Sequence, residues 1–160
     1  MSETSAVKIR LATPADLPSL AALLYDSFAE YKSFYTDEGF AATTPSSEGL
    51  WQRMNEGPVW IATSNEVALG TVAAVDRGDY LYIRGMAVLP EARGIGLGAR
   101  LLRTVEEFAI AQGHKRLTLS TTPFLEQAIR LYERSGFRRS AGGAHDIFGT
   151  PLFTMMKDLI

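Results

Sequence analysis

The sequence predicts one α/β (α+β) domain over residues 1–160, in which about four helices flank a single mixed, mostly antiparallel sheet of about six to seven strands. Three apolar runs separated by short polar turns indicate an antiparallel meander over Val59–Thr63, Ala68–Asp76 and Tyr80–Val88. Amphipathic stripes on both sides of this meander predict helices. Because 46% of the residues are apolar, the chain has enough hydrophobic side chains for a core.

The N-terminal third of the chain predicts a strand and two helices. Apolar and charged residues alternate in the first segment, as they do in a half-buried strand. The motif Thr13-Pro14-Ala15-Asp16 indicates a helix start, with an N-cap, a proline at the first helical position and an acidic partner for the cap. The predicted elements are a strand over 7–11, a helix from Thr13 to Tyr31, an irregular segment over 32–45, and a short helix from Ser46 or Ser47 to Gly57.

The C-terminal half alternates helices and strands after a loop rich in glycine and arginine. A glycine follows each of the two predicted helices, at a position where glycine commonly ends a helix. The predicted elements are a loop over 89–98, a helix ending at Gln112-Gly113, a strand over 116–120, a helix that Thr122-Pro123 opens and that stops near Ser135-Gly136, a strand over 137–140, a loop over 141–149 and a strand over 150–156.

Composition argues against several classes of protein. The chain has no cysteine, so disulfides, thiolate metal sites and a cysteine nucleophile are not expected. Its two histidines, His114 and His145, have no clustered partners, so we predict no metal site. A net charge of -2 provides no basic field for nucleic acid. No apolar leader or membrane-length apolar run is present, so we predict no membrane partner and a cytoplasmic location.

A glycine-rich turn follows the third strand of the meander. The segment Arg93-Gly94-Ile95-Gly96-Leu97-Gly98-Ala99 leads directly into a predicted helix. Glycines let the backbone turn tightly and leave no side chain between its N–H groups and a ligand. Those N–H groups, together with the positive end of the helix, form an anion site, for which a pyrophosphate is the predicted ligand.

Two other phosphate-binding motifs and a purely structural role are the alternative interpretations of this turn. A dinucleotide-binding fingerprint is satisfied by Gly94, Gly96 and Ala99, but it needs an acidic residue about 20 positions on, and residues 113–122 contain no Asp or Glu. The preceding strands are also predicted to be an antiparallel meander. A nucleotide-triphosphate loop requires Gly-Lys-Ser/Thr, whereas Ala99 follows Gly98. If the turn were only a structural connection, its three alternating glycines would cost backbone entropy on folding without any gain in ligand binding.

Two motifs make the chain resemble the GNAT superfamily of acyl-CoA N-acyltransferases. Arg93-x-x-Gly96-x-Gly98 matches the acyl-CoA signature Arg/Gln-x-x-Gly-x-Gly/Ala of that family, and Met86–Gly94 resembles its approach from strand to loop. The block Ala128–Phe137 resembles its late helix and the strand that follows. The opening strand and the Thr13–Asp16 helix start also fit, so the resemblance covers nearly the whole chain in the right order.

The resemblance implies transfer of an acetyl or similar acyl group from acetyl-CoA, as co-substrate, to an amine by direct attack. Tyr132 would lie near the CoA sulfur and protonate the departing thiolate, although a packing role on the buried helix face is the alternative. The expected CoA contacts are the backbone of Arg93, Gly94, Ile95, Gly96, Leu97, Gly98 and Ala99 for the pyrophosphate, Met86, Ala87 and Val88 for the pantetheine arm, and Leu125.

Two positions depart from the family pattern. Many members carry a glutamate general base on the third strand, where this chain has Tyr82, which is a poor base at neutral pH. Many also carry an asparagine that contacts CoA, where this chain has Leu125. The base is therefore unassigned, with water, a strand carbonyl, Asp79 and Glu126 as candidates. The alternative function is a CoA-binding sensor or regulatory module without catalysis, which the missing glutamate favours slightly and the retained Tyr132 opposes.

Aromatic and acidic residues after the first helix predict the acceptor pocket, because the resemblance places that pocket at the first two helices and their loop. Aromatic faces and carboxylates together suit a cationic amine. A small amine, an amino acid, an antibiotic and a protein N-terminus all remain open as acceptors, and the protein is expected to be a monomer or homodimer. The predicted acceptor contacts are Phe28, Tyr31, Tyr35 and Tyr82, with Asp37 and Glu38 as possible carboxylates and His145 as a further candidate.

Overall fold

The computed structural model describes residues 6–143 and 145–159. The helices are α1 (Leu17–Phe28), α2 (Asp37–Thr43), α3 (Ser47–Glu56), α4 (Leu97–Ala111) and α5 (Glu126–Arg134). The strands are β1 (Lys8–Leu11), β2 (Val59–Ser64), β3 (Val67–Asp76), β4 (Tyr80–Val88), β5 (Arg116–Thr121), β6 (Arg138–Ser140), β7 (Asp146–Ile147), β8 (Thr150–Pro151) and β9 (Phe153–Asp158). Short 3-10 turns span Pro14–Asp16, Ala29–Phe34 and Pro90–Ala92.

Seven of these strands form one mixed sheet in the order β1-β2-β3-β4-β5-β9-β6. Every neighbouring pair in it is antiparallel except β4 and β5, which are parallel. The prediction of a single, mostly antiparallel mixed sheet is therefore confirmed. The parallel pair means that β4, α4 and β5 make a βαβ unit around the glycine turn, whereas the sequence indicated only the antiparallel meander before it.

Helices cover both faces of the sheet. On one face, α4 contributes Leu97, Leu101 and Val105 to a core with alternate residues of β3 and β4. On the other face, α1 contributes Leu20 and Leu24 to a second core. Strand β3 is buried from both sides over six consecutive residues, which explains why its sequence is apolar without alternation.

The sheet opens between β4 and β5, and this opening positions the site. The two strands pair only from Tyr80–Arg116 to Ile83–Leu119. Beyond Ile83, β4 carries a bulge in which Gly85 and Met86 lie opposite Val72 of β3. Gly85 has a φ of 62°, a left-handed conformation that glycine adopts without a steric penalty. The end of β4 therefore diverges from β5 and leaves a backbone edge with which no strand of the described residues pairs on that side.

Two predictions for the N-terminal third were wrong in detail. Helix α1 ends at Phe28 and continues to Phe34 only as a 3-10 turn, so the predicted helix to Tyr31 is too long. The segment predicted as irregular contains α2, whose N-cap Thr36 accepts a hydrogen bond from the Gly39 N–H at 3.0 Å. Gly39 packs so tightly against Thr150 that a Cβ would collide with its hydroxyl, so this glycine reflects close packing and does not break the helix.

The C-terminal third also differs from the prediction at three places. Helix α5 begins at Glu126, four residues after the predicted start at Thr122, and its N-cap is Leu125. The segment predicted as a loop over 141–149 contains β7, which pairs with β8 in a separate hairpin. The predicted strand over 150–156 is divided between β8 and β9, and β9 continues to Asp158.

No helix within residues 6–143 and 145–159 combines the length and apolarity that crossing a membrane requires.

Candidate active site

A cleft of about 1060 Å³ lies where β4 and β5 separate. The end of β4 and the glycine turn line one side, while the end of β5 and helix α5 line the other. Residues of α1, of the turn after it and of α3 line the remaining part. The volume lies at the upper end of the range for small-molecule sites, so the cleft can hold a long ligand and a second, smaller one.

The glycine turn presents backbone N–H groups to this cleft. Gly96 is the N-cap of α4 in a left-handed conformation, with a φ of 82°, and Gly94 has a φ of 86°. The first hydrogen bond of the helix runs from the Arg100 N–H to the Gly96 carbonyl at 3.1 Å. The N–H groups of Leu97, Gly98 and Ala99 therefore precede the helical ladder and remain available to an anion.

Gly98 has a different role from the other two glycines of the turn. Its backbone is helical, and a Cβ there would lie 2.7 Å from Leu131 Cδ2. By contrast, a Cβ at Gly94 or Gly96 would meet no atom of the described residues within 4 Å. Gly98 thus allows α4 and α5 to approach closely, while Gly94 and Gly96 supply the left-handed conformations that shape the turn.

The Arg93 side chain fastens the turn to the rest of the fold. Its guanidinium donates to the Val88 carbonyl at 3.1 Å, to the Ser27 carbonyl at 2.9 Å and to Glu30 Oε1 at 2.6 Å. These bonds join the end of β4 and the end of α1 to the start of the turn. The Arg93 side chain therefore sets the conformation of the turn. The sequence analysis considered only the backbone of this residue.

Tyr132 lies at the wall of the cleft on α5. It is only 8% exposed and makes an edge contact with Phe137, with ring centroids 6.0 Å apart. Burial raises the pKa of the Tyr132 phenol, and the nearby Tyr35 raises it further. Burial also raises the pKa of Tyr35, against the opposing effect of the Thr122 and Thr43 hydroxyls. Both phenols are therefore protonated at neutral pH.

An aromatic cluster joins the turn after α1 to the loop between β5 and α5. Phe124 contacts Tyr31, Phe34 and Tyr35, with ring centroids 6.1, 5.3 and 4.9 Å apart respectively. Aromatic contacts of this kind contribute about 0.5–1.5 kcal/mol each beyond their buried area. The cluster therefore holds the two borders of the cleft together. The sequence analysis missed Phe124, because nothing local distinguishes it from an ordinary loop residue.

The structure brings together nearly all the residues that the sequence singled out. The predicted CoA contacts that line the cleft are Met86, Ala87, Val88, Arg93, Gly94, Gly96, Leu97, Gly98, Ala99 and Leu125, and the predicted acceptor contacts that line it are Phe28, Tyr31, Tyr35 and Tyr82. Ile95 is the exception, since its side chain is 64% exposed and does not line the cleft.

The acidic residues considered from the sequence do not line this cleft. Asp37 and Glu38 occupy the exposed first turn of α2, where their negative charges interact favourably with the positive end of the helix dipole. Asp79 lines a separate depression at the start of β4, and Glu126 is exposed on α5. His145 is also exposed and lies outside the cleft lining. The expected pairing of aromatic faces with carboxylates is therefore wrong for the described residues.

Two arginines that the sequence analysis missed line the cleft near the bulge in β4. Arg84 on β4 makes an ion pair with Glu56, the last residue of α3. Arg53 on α3 also lines the cleft, and its Nη2 donates to the Ala42 carbonyl at 3.2 Å. A charged residue next to a glycine inside an apolar strand was the available signal for Arg84, whereas Arg53 resembles any exposed helical arginine in sequence.

Comparison with known proteins identifies the family. The model of the acetyltransferase (GNAT) family matches residues 21–137. The chain belongs to the GNAT acetyltransferase family. An uncharacterized N-acetyltransferase of Escherichia coli, YjgM, is 32% identical over 135 residues, which cover 81% of this chain and 80% of that protein. YhfO, an uncharacterized N-acetyltransferase of Bacillus subtilis, is 28% identical over 154 residues, which cover 91% and 99% respectively.

Solved structures show the same GNAT fold. The PaiA N-acetyltransferase of Thermoplasma acidophilum, solved in complex with coenzyme A, superposes with a TM-score of 0.83 and covers 96% of this chain and 99% of its own. Its 18% sequence identity means that the likeness concerns the fold alone. The GNAT resemblance of the sequence is thereby confirmed, and the family and its relatives support acetyltransferase activity for this member.

Proposed function

We propose that this GNAT acetyltransferase transfers the acetyl group of acetyl-CoA to a primary amine by direct attack. One observation carries the proposal, namely that a single cleft joins the glycine turn, the open edge of β4 and the buried phenol of Tyr132. The N–H groups of Leu97, Gly98 and Ala99 suit the pyrophosphate. The unpaired edge of β4 at Met86, Ala87 and Val88 suits the amide groups of the pantetheine arm, which would add to the sheet as a further strand.

Transfer then needs one nucleophile and one proton donor. The amine nitrogen attacks the thioester carbonyl carbon, a C–N bond forms and the C–S bond breaks. Tyr132 gives its proton to the departing sulfur, the nitrogen releases its own proton to water, and water returns a proton to the Tyr132 phenolate. The burial that raises the pKa of Tyr132 would raise that of a thiol in the same place, because desolvation disfavours both anions. The phenol therefore remains a reasonable acid for this thiolate.

The absence of a carboxylate base among the described cleft residues fits an amine that arrives neutral. The charged side chains that line the described cleft are arginines, and nearby positive charge lowers the pKa of an ammonium group. A bound amine would therefore lose its proton more readily here than in water. This removes the need for a base at Tyr82, the position where many relatives carry a glutamate.

Titration calorimetry tests whether the cleft takes acetyl-CoA. We expect saturable binding of one acetyl-CoA per chain, competition by CoA, and no heat of binding with NAD at the same concentrations. The physical reason is that β5 ends in Ser120 and Thr121 and provides no acidic residue for the ribose of a dinucleotide. Tight binding of NAD in place of acetyl-CoA would contradict the proposal and support the dinucleotide interpretation of the glycine turn.

A further inference from the structure

All the charged side chains that line the described cleft are positive. Among the described residues that line it, the charged ones are Arg53, Arg84, Arg93, Arg130 and Arg134, and none is Asp or Glu. Three of these arginines pair with carboxylates outside the lining: Arg84 with Glu56, Arg93 with Glu30, and Arg130 with Glu126. Arg134 is exposed on α5, the helix whose Leu131 packs against Gly98 of the glycine turn, where a phosphate-bearing ligand would be bound.

Arg53 differs from these arginines, because it has no ion-pair partner among the described residues and does not lie on α5 beside the glycine turn. Its guanidinium lies against the bulge of β4, with Nη1 2.9 Å from the position that a Cβ of Gly85 would occupy. Its single hydrogen bond among the described residues is to the Ala42 carbonyl, and none of their carboxylates forms an ion pair with it. The nearby Glu56 is already bonded to Arg84. Most of the N–H donors of Arg53 therefore remain available.

The surroundings of Arg53 are unfavourable for an isolated positive charge. Burial lowers the pKa of its guanidinium and the neighbouring Arg84 lowers it further, against the smaller opposing effects of Glu56 and Tyr82. An arginine side chain nevertheless stays protonated at neutral pH, because its reference pKa exceeds 12. A partly buried cation without an anionic partner is costly for the fold, and a bound anion would remove that cost.

A short series of contacts connects Arg53 to the place where acetyl transfer would occur. Arg53 bonds to Ala42, and the next residue, Thr43, lies beside the Tyr35 hydroxyl. Tyr35 and Tyr132 line the same cleft as Arg53 and Thr43, and the two phenols interact electrostatically. An anion on Arg53 would thus share the acceptor end of the cleft with Tyr35 and Tyr132, away from the glycine turn.

We infer that the acceptor is a small amine that also carries a carboxylate, as an amino acid does, and that Arg53 binds this carboxylate. The inference rests on the proposed acetyl transfer and specifies its acceptor. A planar guanidinium matches a carboxylate through two parallel hydrogen bonds. One unpaired guanidinium balances one negative charge, whereas a phosphate dianion would need a second unpaired cation, and Arg84 is already paired.

The test compares each of the common L-amino acids with its own primary amide as acceptor, in an assay of free thiol release from acetyl-CoA. The two members of a pair share an α-amine and a side chain and differ in the carboxylate. A hydrogen bond to a charged group typically contributes enough for about a 10- to 100-fold change, so we expect kcat/KM for the preferred acid to exceed that for its amide by this factor. The expected gain is mainly a lower KM.

The variants Arg53→Gln and Arg53→Lys identify the side chain responsible. Arg53→Gln is expected to bring the acid-to-amide ratio of kcat/KM close to one, and Arg53→Lys to leave an intermediate ratio, since lysine keeps the charge but not the planar fork. Arg103→Gln is the matched control, because Arg103 is exposed on α4 outside the cleft lining and should keep the wild-type ratio. Calorimetric titration with acetyl-CoA verifies that each variant is folded.

The outcomes separate this inference from the proposed function. Equal turnover of acids and amides, or a preference for acids that survives in Arg53→Gln, would overturn the carboxylate assignment and leave acetyl transfer standing. A preference for amides would overturn it as well. Acetyl-CoA binding without acetylation of any acid or amide would instead contradict the proposed function, and the inference would fall with it.

Discussion

A Tyr132→Phe variant is expected to turn over about 10²–10⁴-fold more slowly than the wild type, which is the usual contribution of a general acid. The substitution removes the proton donor and keeps the buried ring and its contact with Phe137. Affinity for acetyl-CoA should change by at most about 1.5 kcal/mol, because one ordinary hydrogen bond is involved. Stability should be retained, because no cavity of ring size forms. Single-turnover kinetics with saturating acetyl-CoA measure the chemical step directly.

The pH dependence of turnover provides a second measurement on Tyr132. Burial raises the pKa of this phenol, so the wild-type enzyme should keep its acid protonated throughout the neutral range. Any fall in kcat that is due to its ionisation should appear only at strongly alkaline pH and be absent from Tyr132→Phe. If the variant shows near-normal turnover when chemistry limits the rate, Tyr132 is a packing residue and the proton comes from water.

A Gly96→Asp variant is expected to bind acetyl-CoA at least about 100-fold more weakly than the wild type. The new carboxylate would stand where backbone N–H groups should meet the pyrophosphate. Two unit charges 4 Å apart repel by about 4 kcal/mol at the effective dielectric constant of a protein surface. A Cβ at Gly96 meets nothing among the described residues within 4 Å, so the side chain has room, but the φ of 82° strains the backbone of any substitution. Calorimetry measures the loss.

Gly96→Asn is the matched control for this substitution. Asparagine is nearly isosteric with aspartate and tolerates the left-handed backbone that Gly96 adopts, but it carries no charge. The difference in affinity between the Asp and Asn variants therefore isolates the electrostatic contribution, and we expect the Asn variant to bind more tightly. Unchanged affinity in a folded Gly96→Asp protein would show that the pyrophosphate does not bind at this turn.

The parts of the fold that the sequence predicted are those with local signals. The meander of β2, β3 and β4 follows from apolar runs and short turns, and its predicted bounds agree with the structure to within one residue. The start of α4 at the glycine turn follows from the glycines themselves. Helix α2 was missed because Gly39 resembles a break in sequence, whereas its reason is close packing against Thr150, more than 100 residues away.

The candidate site was predicted where a motif marks it and missed where tertiary contacts create it. Nearly all the residues of the turn, together with Tyr132, follow from a contiguous pattern, and the structure places them around one cleft. Arg53 and Arg84 lie on different elements and meet only because α3 packs beside the end of β4. The contacts of Arg93 with Ser27 and Glu30 join segments more than 60 residues apart. Local patterns carry no information about such contacts.

The central claim is acetyl transfer from acetyl-CoA to an amine, and its most direct test is to measure both products of one reaction. A panel of primary amines that includes the amino acids and their amides is incubated with the protein and acetyl-CoA. Free thiol is measured by colour development and the acetylated amine by mass spectrometry. The account predicts equal amounts of free CoA and N-acetylated amine, with release that depends on the amine. Binding of acetyl-CoA without thiol release from any member of the panel, or thiol release that yields only acetate, would contradict it.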